Sequence, residues 1–447
     1  MRVSRTILIL TILSLPLTAM AAESFFVRTL GGPENDRVGA SAMLGNLVFF
    51  GGVKDLTGLA SKGLLLATTV NGDVIFERVF VDSGGAPVEI TALVAGDGVL
   101  HVGGTIGSWP TSGKAFLMTL SVAGNVLSQT VFENDKQAFL RDIIVTQDGG
   151  LLVVGKLVVP PDTIGNGWVA KLDSTGAIEW QKDIGSGGDD SLNAAVERPE
   201  GGYLLAGGLG SSDNPFFTLR GWLLSLDAAG NLVWQQAFAA AAGDSFNNLL
   251  LTRKGITAFG TFCDFCFFRG DGWIVNTDLN GNLIDAQIIG DFNIQGFDEI
   301  IDVKPVAKGQ GFIVLGTADT IIGPSQQIWS ARFTNRGTLR WVRQVGGNGF
   351  EMAGTLTVLD SGSIVFGGFS VADLNQNVYI GKLDSAGRSP STCDQIGPTT
   401  SPLRDDGGLT GHVKSGAIAV DASAVAAPGN LVVGTSPTTV DELLCFE

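Results

Sequence analysis

Carboxylates recur in this chain just ahead of the segments that read as the first strand of each repeat. The stretches GGPENDR, GSGGDDS, AAGDS, GFDE and GGNGFE place Asp36, Asp190, Asp244, Asp298 and Glu351 at nearly equivalent positions. Five like charges around one opening would sum to a field that draws in cations or basic groups. Carboxylate oxygens are also hard ligands suited to calcium. The same residues have a second use that needs no ligand, since an Asp in a turn accepts hydrogen bonds from nearby backbone N–H groups. No dense DxDxDG run accompanies them. Turn capping is therefore the preferred reading, with no metal or cofactor expected beyond calcium held in one of these links.

Other reactive residue types are few. Two histidines, His101 in VLHVGG and His412, are too sparse to build a metal cage with the cysteines. Neither is accompanied by a nucleophile-elbow pattern, and His101 reads as a satisfied sheet residue. The four cysteines divide into Cys263 with Cys266 in CDFC, and Cys393 with Cys445, which bracket the C-terminal tail. CDFC does not open a helix, so the N-terminal dipole that acidifies a redox thiol is missing and a loop staple is expected. A Cys393–Cys445 bridge would close a ring of roughly 50 residues, worth about 4 kcal/mol in the chain-entropy model. Trp109, in GSWPTSG, falls between a second and a third strand and is a candidate ligand contact. DSTG at Asp173 and RGDG at Arg269 imitate short functional motifs, yet each is accounted for by its place in the repeat.

That repeat is the organising feature. GWVAKLDSTGAIEW (167–180) returns as GWLLSLDAAGNLVW (221–234), and five further copies centre on a glycine, giving Gly72, Gly124, Gly176, Gly230, Gly281, Gly337 and Gly387. A period of 50 to 56 residues filled with alternating strands indicates propeller blades or a solenoid. In the fourth unit SLNAAVERP, GYLLAGG, GWLLSLD and NLVWQQAF read as four strands, and Asn, Asp and Gly occupy the turns where positive φ is needed. The seventh unit lacks a fourth strand, and SFFVRTLGG (24–32) fits the vacancy. The expectation is an all-β, seven-bladed β-propeller of four-stranded antiparallel blades, closed by the N-terminal strand. A leader over 1–21 precedes the propeller (22–388), and a disulfide-closed tail of β and irregular structure (389–447) follows it. Seven of the eight tryptophans sit at two recurring repeat positions, which marks them as packing wedges.

The run LDxxGxxxW, as Leu172–Trp180 and Leu226–Trp234, resembles the repeat of the PQQ-like, quinoprotein-type propellers of secreted bacterial proteins. The resemblance spans 23–388 and implies the propeller architecture; it also implies an oxidoreductase with a quinone beside paired cysteines, and no Cys-Cys pair is present here. Arg2 and Arg5 ahead of a short apolar run ending Ala19-Met20-Ala21 read as an export signal cleaved near Ala21. The mature chain is expected in the periplasm or outside the cell, with no transmembrane segment. Loss of those two arginines leaves 26 Lys and Arg against 44 Asp and Glu, a net charge of −18, so nucleic acid is excluded as a partner. The preferred function is a non-catalytic scaffold that binds a protein or cell-surface polysaccharide through one loop-rich acidic face. The alternative is an enzyme at the channel mouth, either a polysaccharide lyase or hydrolase or a quinoprotein-type oxidoreductase.

Overall fold

The seven repeat glycines all adopt positive φ, between 73° and 86°, a region that side chains with a Cβ rarely enter. Each closes the turn between the third and fourth strands of one unit. In the fourth unit Asp227 Oδ1 accepts the N–H groups of Ala229 and Asn231 at 2.9 and 2.8 Å, which fixes that turn before any tertiary contact forms. The same geometry recurs at Asp173, so DSTG is a turn and nothing more specialised.

A computed structural model describes residues 25–388 apart from 32–34, 56–60, 109–110, 134–135, 161–163, 211–218, 240–242, 253–254, 266–268, 290–296, 320–325, 346–349 and 373–374. It also describes the backbone of six short strands between 403 and 446. Seven four-stranded antiparallel sheets follow one another. Blade 4 is representative, running outward from Ser191–Glu197 through Tyr203–Leu209 and Arg220–Leu226 to Leu232–Phe238. Among the described residues the single helical element is the 3-10 turn Ala307–Gly309. Blade 7 takes its fourth strand from the N-terminal segment, where Phe26–Leu30 pairs with Asn375–Leu383 in the register Leu30↔Val378. This is the closure expected from the truncated seventh repeat. It completes the seventh sheet and joins the two ends of the ring.

The blades adhere through aromatic wedges. Trp168, Trp222 and Trp273, on third strands, are fully buried. Burying an indole takes roughly 150 to 250 Å² from water, at most about 4 to 6 kcal/mol each. On the outer strands a second set caps the next blade's turn. Phe26 lies over Gly72, Phe76 over Gly124, Trp180 over Gly230, Trp234 over Gly281 and Trp341 over Gly387. A Cβ on any of these glycines would come within 2.8 Å of the ring, so glycine is needed there for space as well as for φ. Blades 2 and 5 carry Ser128 and Asp285 at that position instead. Beside Asp285 a pocket of about 170 Å³ opens against Gly337.

The tail adds a layer that the repeat does not foretell. Its strands pair antiparallel with outer strands in reverse blade order: Leu403–Asp405 on blade 5, His412–Val413 on blade 4, Ile418–Asp421 on blade 3, Val425–Pro428 on blade 2 and Leu431–Gly434 on blade 1. Val440–Phe446 then pairs with Phe26–Leu30, so the closing strand of blade 7 is held on both sides.

Candidate functional site

In each blade two connections lie at one end of the channel, the turns between strands one and two and between three and four, and the links to the next blade lie at the other. The carboxylates singled out in the sequence occupy the link end, but four of the five are buried. Asp36, Asp190, Asp244 and Glu351 are 2, 0, 0 and 5% exposed. The backbone N–H groups of Asp36, Asp190 and Asp244 donate to Gln376 O, Gly165 O and Leu219 O at 2.8, 2.7 and 3.1 Å, in each case at the start of the preceding blade's third strand. Asp190 then uses its own carboxylate on the link: Oδ2 accepts Ser186 N–H at 2.6 Å, Oδ1 accepts Gly210 N–H at 2.8 Å, and Ser186 Oγ donates to it as well. Burial pushes its pKa up against these hydrogen bonds, which favour the charged form. Asp36 accepts Asp55 N–H and lies 3.6 Å from Lys54 Nζ, which also pairs with Glu77. The backbone of Asp298 pairs in parallel with Asp271 of blade 5; its side chain lies outside the described residues. Asp36, Asp190 and Asp244 thus tie each of their blades to the one before it through the backbone N–H group.

Sequence reasoning missed the channel wall. All seven innermost strands carry a bulge at the same register, at Gly39, Thr91, Arg141, Asn193, Asn247, Ile301 and Gly354. A bulge frees backbone groups from the ladder, and these need partners. The preceding blade supplies them. Thr91 donates to Leu140 O at 2.7 Å, Asp142 accepts Ala195 N–H at 3.1 Å, and Asn193 donates to Phe246 O at 2.9 Å. Asn248 donates to Ile301 O at 3.0 Å and Asp302 accepts Leu356 N–H at 2.8 Å, while between blades 7 and 1 the contact joins side chains, the Thr355 hydroxyl to Ser41 Oγ at 2.7 Å. The signal was available in principle, because Asp142, Asn248, Asp302 and Thr355 each follow the bulge by one residue. It shows only once the bulge is known.

These side chains line a channel of about 720 Å³. Its electrostatics centre on Asp142, Asp302 and Lys304. Burial pushes the Asp142 carboxyl up to about 6, with the Lys304 ammonium and two backbone N–H groups opposing the shift. Lys304 donates to Asp302 Oδ1 at 2.8 Å and keeps 41% of its side-chain surface toward channel water. Burial works to lower its pKa, but the attraction of Asp302 and Asp142 holds it above the ordinary lysine value.

The remaining candidates are placed as follows. His101 Nδ1 lies 3.1 Å from Thr119 Oγ1 in the sheet, and burial lowers its pKa, so it acts as a paired sheet residue. The backbone of Cys263 belongs to strand Gly255–Phe265 and not to a loop, while that of Cys445 pairs with Val27. Their thiols, together with Cys266, Cys393 and Trp109, lie outside the described residues, as do residues 1–21, expected to form an export signal. Among the described residues no helix is long and apolar enough to cross a membrane.

A ring of seven sheets about a polar channel defines a seven-bladed β-propeller. The sequence matches no protein-family model and no curated protein. Among solved structures it is similar to puromycin hydrolase, at 11% identity and a TM-score of 0.48 over 83% of this chain; the chain spans 57% of that protein's length. A subtype N11 neuraminidase-like protein of an A/flat-faced bat/Peru isolate aligns at 12% identity and a TM-score of 0.40, covering 80% of this chain and 91% of that one. The GH43 endo-arabinanase from Bacillus licheniformis aligns at 10% identity and a TM-score of 0.29, covering 80% and 97%. These likenesses concern the fold alone.

Proposed function

We propose that the protein is an exported, non-catalytic propeller that binds a protein or cell-surface polymer on its link face. The observation that carries this reading is the channel belt. Thr91, Asp142, Asn193, Asn248, Asp302 and Thr355, the side chains best placed for channel chemistry, are committed to joining one blade to the next. The link carboxylates then shape the loops that meet the ligand. Incubating the mature protein with envelope polymers and measuring retention together with released fragments tests this. Retention without fragments is expected; new reducing ends or unsaturated products in proportion to protein would overturn it.

A second reading has one observation in its favour: a channel carboxyl near pH 6 beside a lysine is suited to general acid–base work in an enzyme. If turnover occurs and Asp142→Asn abolishes it while the fold is kept, that reading replaces the first.

A further inference from the structure

On the end opposite the links, blade 6 meets blade 7 at an open hollow of about 760 Å³. Three guanidinium groups line it: Arg332 on strand Gln326–Phe333, Arg336 in the following turn and Arg340 on strand Leu339–Val345. None of the described lining residues is acidic. Asp384, in the turn that contributes Ser385 and Ala386 to the hollow, is engaged by Arg388 at 2.8 Å. Such a concentration of positive charge stands out in a chain with a formal net charge of −16.

The hydrogen-bond accounting points the same way. In blade 3 Trp180 Nε1 donates to Ala228 O, in the next blade's turn, at 3.2 Å. The residue equivalent to Ala228 in blade 7 is Ser385. Its carbonyl is taken by Arg332 Nη1 at 3.0 Å, while Arg332 Nη2 reaches Gln310 Oε1 at 3.3 Å. The equivalent indole, Trp341, is left with its Nε1 buried and unpartnered, and so is the Nε of Arg332. Two buried N–H donors thus lack acceptors on side chains that line one cationic hollow, and an oxygen-bearing anion seated among the three guanidinium groups would supply acceptors once those side chains turn toward it. We propose that this hollow binds an anionic polysaccharide, a sugar polymer carrying carboxylate or sulfate groups. The rest of the lining favours sugar over acidic peptide. Thr334, Thr338, Gln310 and Asn335 offer hydroxyl and amide groups, and Ala386 and the Trp341 edge give little apolar seating for peptide side chains. The site lies on the face opposite the links and does not depend on the reading above.

Full-length mature protein titrated with polygalacturonate, dextran sulfate, neutral dextran and poly-glutamate separates the cases. Binding to one or both anionic polysaccharides, weakening steeply with salt, is expected. The acidic protein as a whole repels polyanions, so attachment must be local. Arg336→Glu with Arg340→Glu should weaken binding at least tenfold, and Trp341→Phe, which removes the N–H together with part of the indole ring, several-fold; circular dichroism verifies the fold of each variant. Absence of binding by the parent protein, binding that survives the double charge reversal in folded protein, or capture of poly-glutamate alone would overturn the proposal. Release of fragments from a polymer bound through these arginines would overturn the non-catalytic reading and leave this site standing.

Discussion

Asp142 gives the most direct test of the channel belt. Its folded pKa of about 6 lies above the ordinary aspartate value of 3.8, so the folded state binds the proton more tightly than the unfolded chain does. The sign follows from linkage: the contribution is fully present below about pH 4 and is lost as pH rises through 6. A gap of that size corresponds to about 3 kcal/mol, an upper figure because channel water screens the charge. Asp142→Asn keeps an acceptor for Ala195 N–H but cannot ionise. Urea unfolding of parent and variant at pH 4 and pH 7.5 isolates this group from the other carboxylates, which are common to both. The variant should gain on the parent by up to about 3 kcal/mol between the two pH values. A stability difference that stays the same at both would refute the burial argument.

Three further outcomes are expected. Trp234→Ala should cost about 3 kcal/mol in denaturant unfolding; Gly281→Ala should cost less in that background than in the parent, because the ring 2.7 Å from the added Cβ is gone, leaving the φ of 80° and Gln236 Cγ at 3.0 Å to oppose it. Strict additivity in the double-mutant cycle would contradict the stacking account. Asp190→Ala strands the N–H groups of Ser186 and Gly210 and should lower stability by about 3 kcal/mol, read from calorimetry; a change within error would show the link does not need its carboxylate. Truncation after Arg388 uncovers outer strand edges on blades 5, 4, 3, 2, 1 and 7 and should promote association, seen as growing light scattering. A truncated protein with the parent's size and unfolding midpoint would mean those edges need no cover.

The ring was legible because its determinants are local and repeated. Gly230 and its six counterparts demand positive φ, and Trp180 and Trp234 mark the same blade position, so the chain states its period openly. The missing fourth strand of blade 7 and the spare N-terminal strand could be matched as complementary fragments. The polar belt was hidden because each of its contacts joins residues of different repeats, as Asp142 joins Ala195, and no short window contains both. Spacing located Asp190 and Asp244 but could not show on which side of the link their oxygens turn; burial decided that. The tail strands, four residues or fewer in five of six cases, are too short to carry a period, and their reversed course over the blades is set by the edges they cover.

The double clasp on Phe26–Leu30 has a consequence for how the protein assembles. Its partners are residues 378–382 on one flank and 440–446 on the other, so the first strand made waits for the last ones before it has neighbours. Contacts spanning most of the chain make folding slow. Closing the circle therefore carries the loop-entropy cost of joining the two ends of the chain, and freeing this strand means releasing both of its flanks.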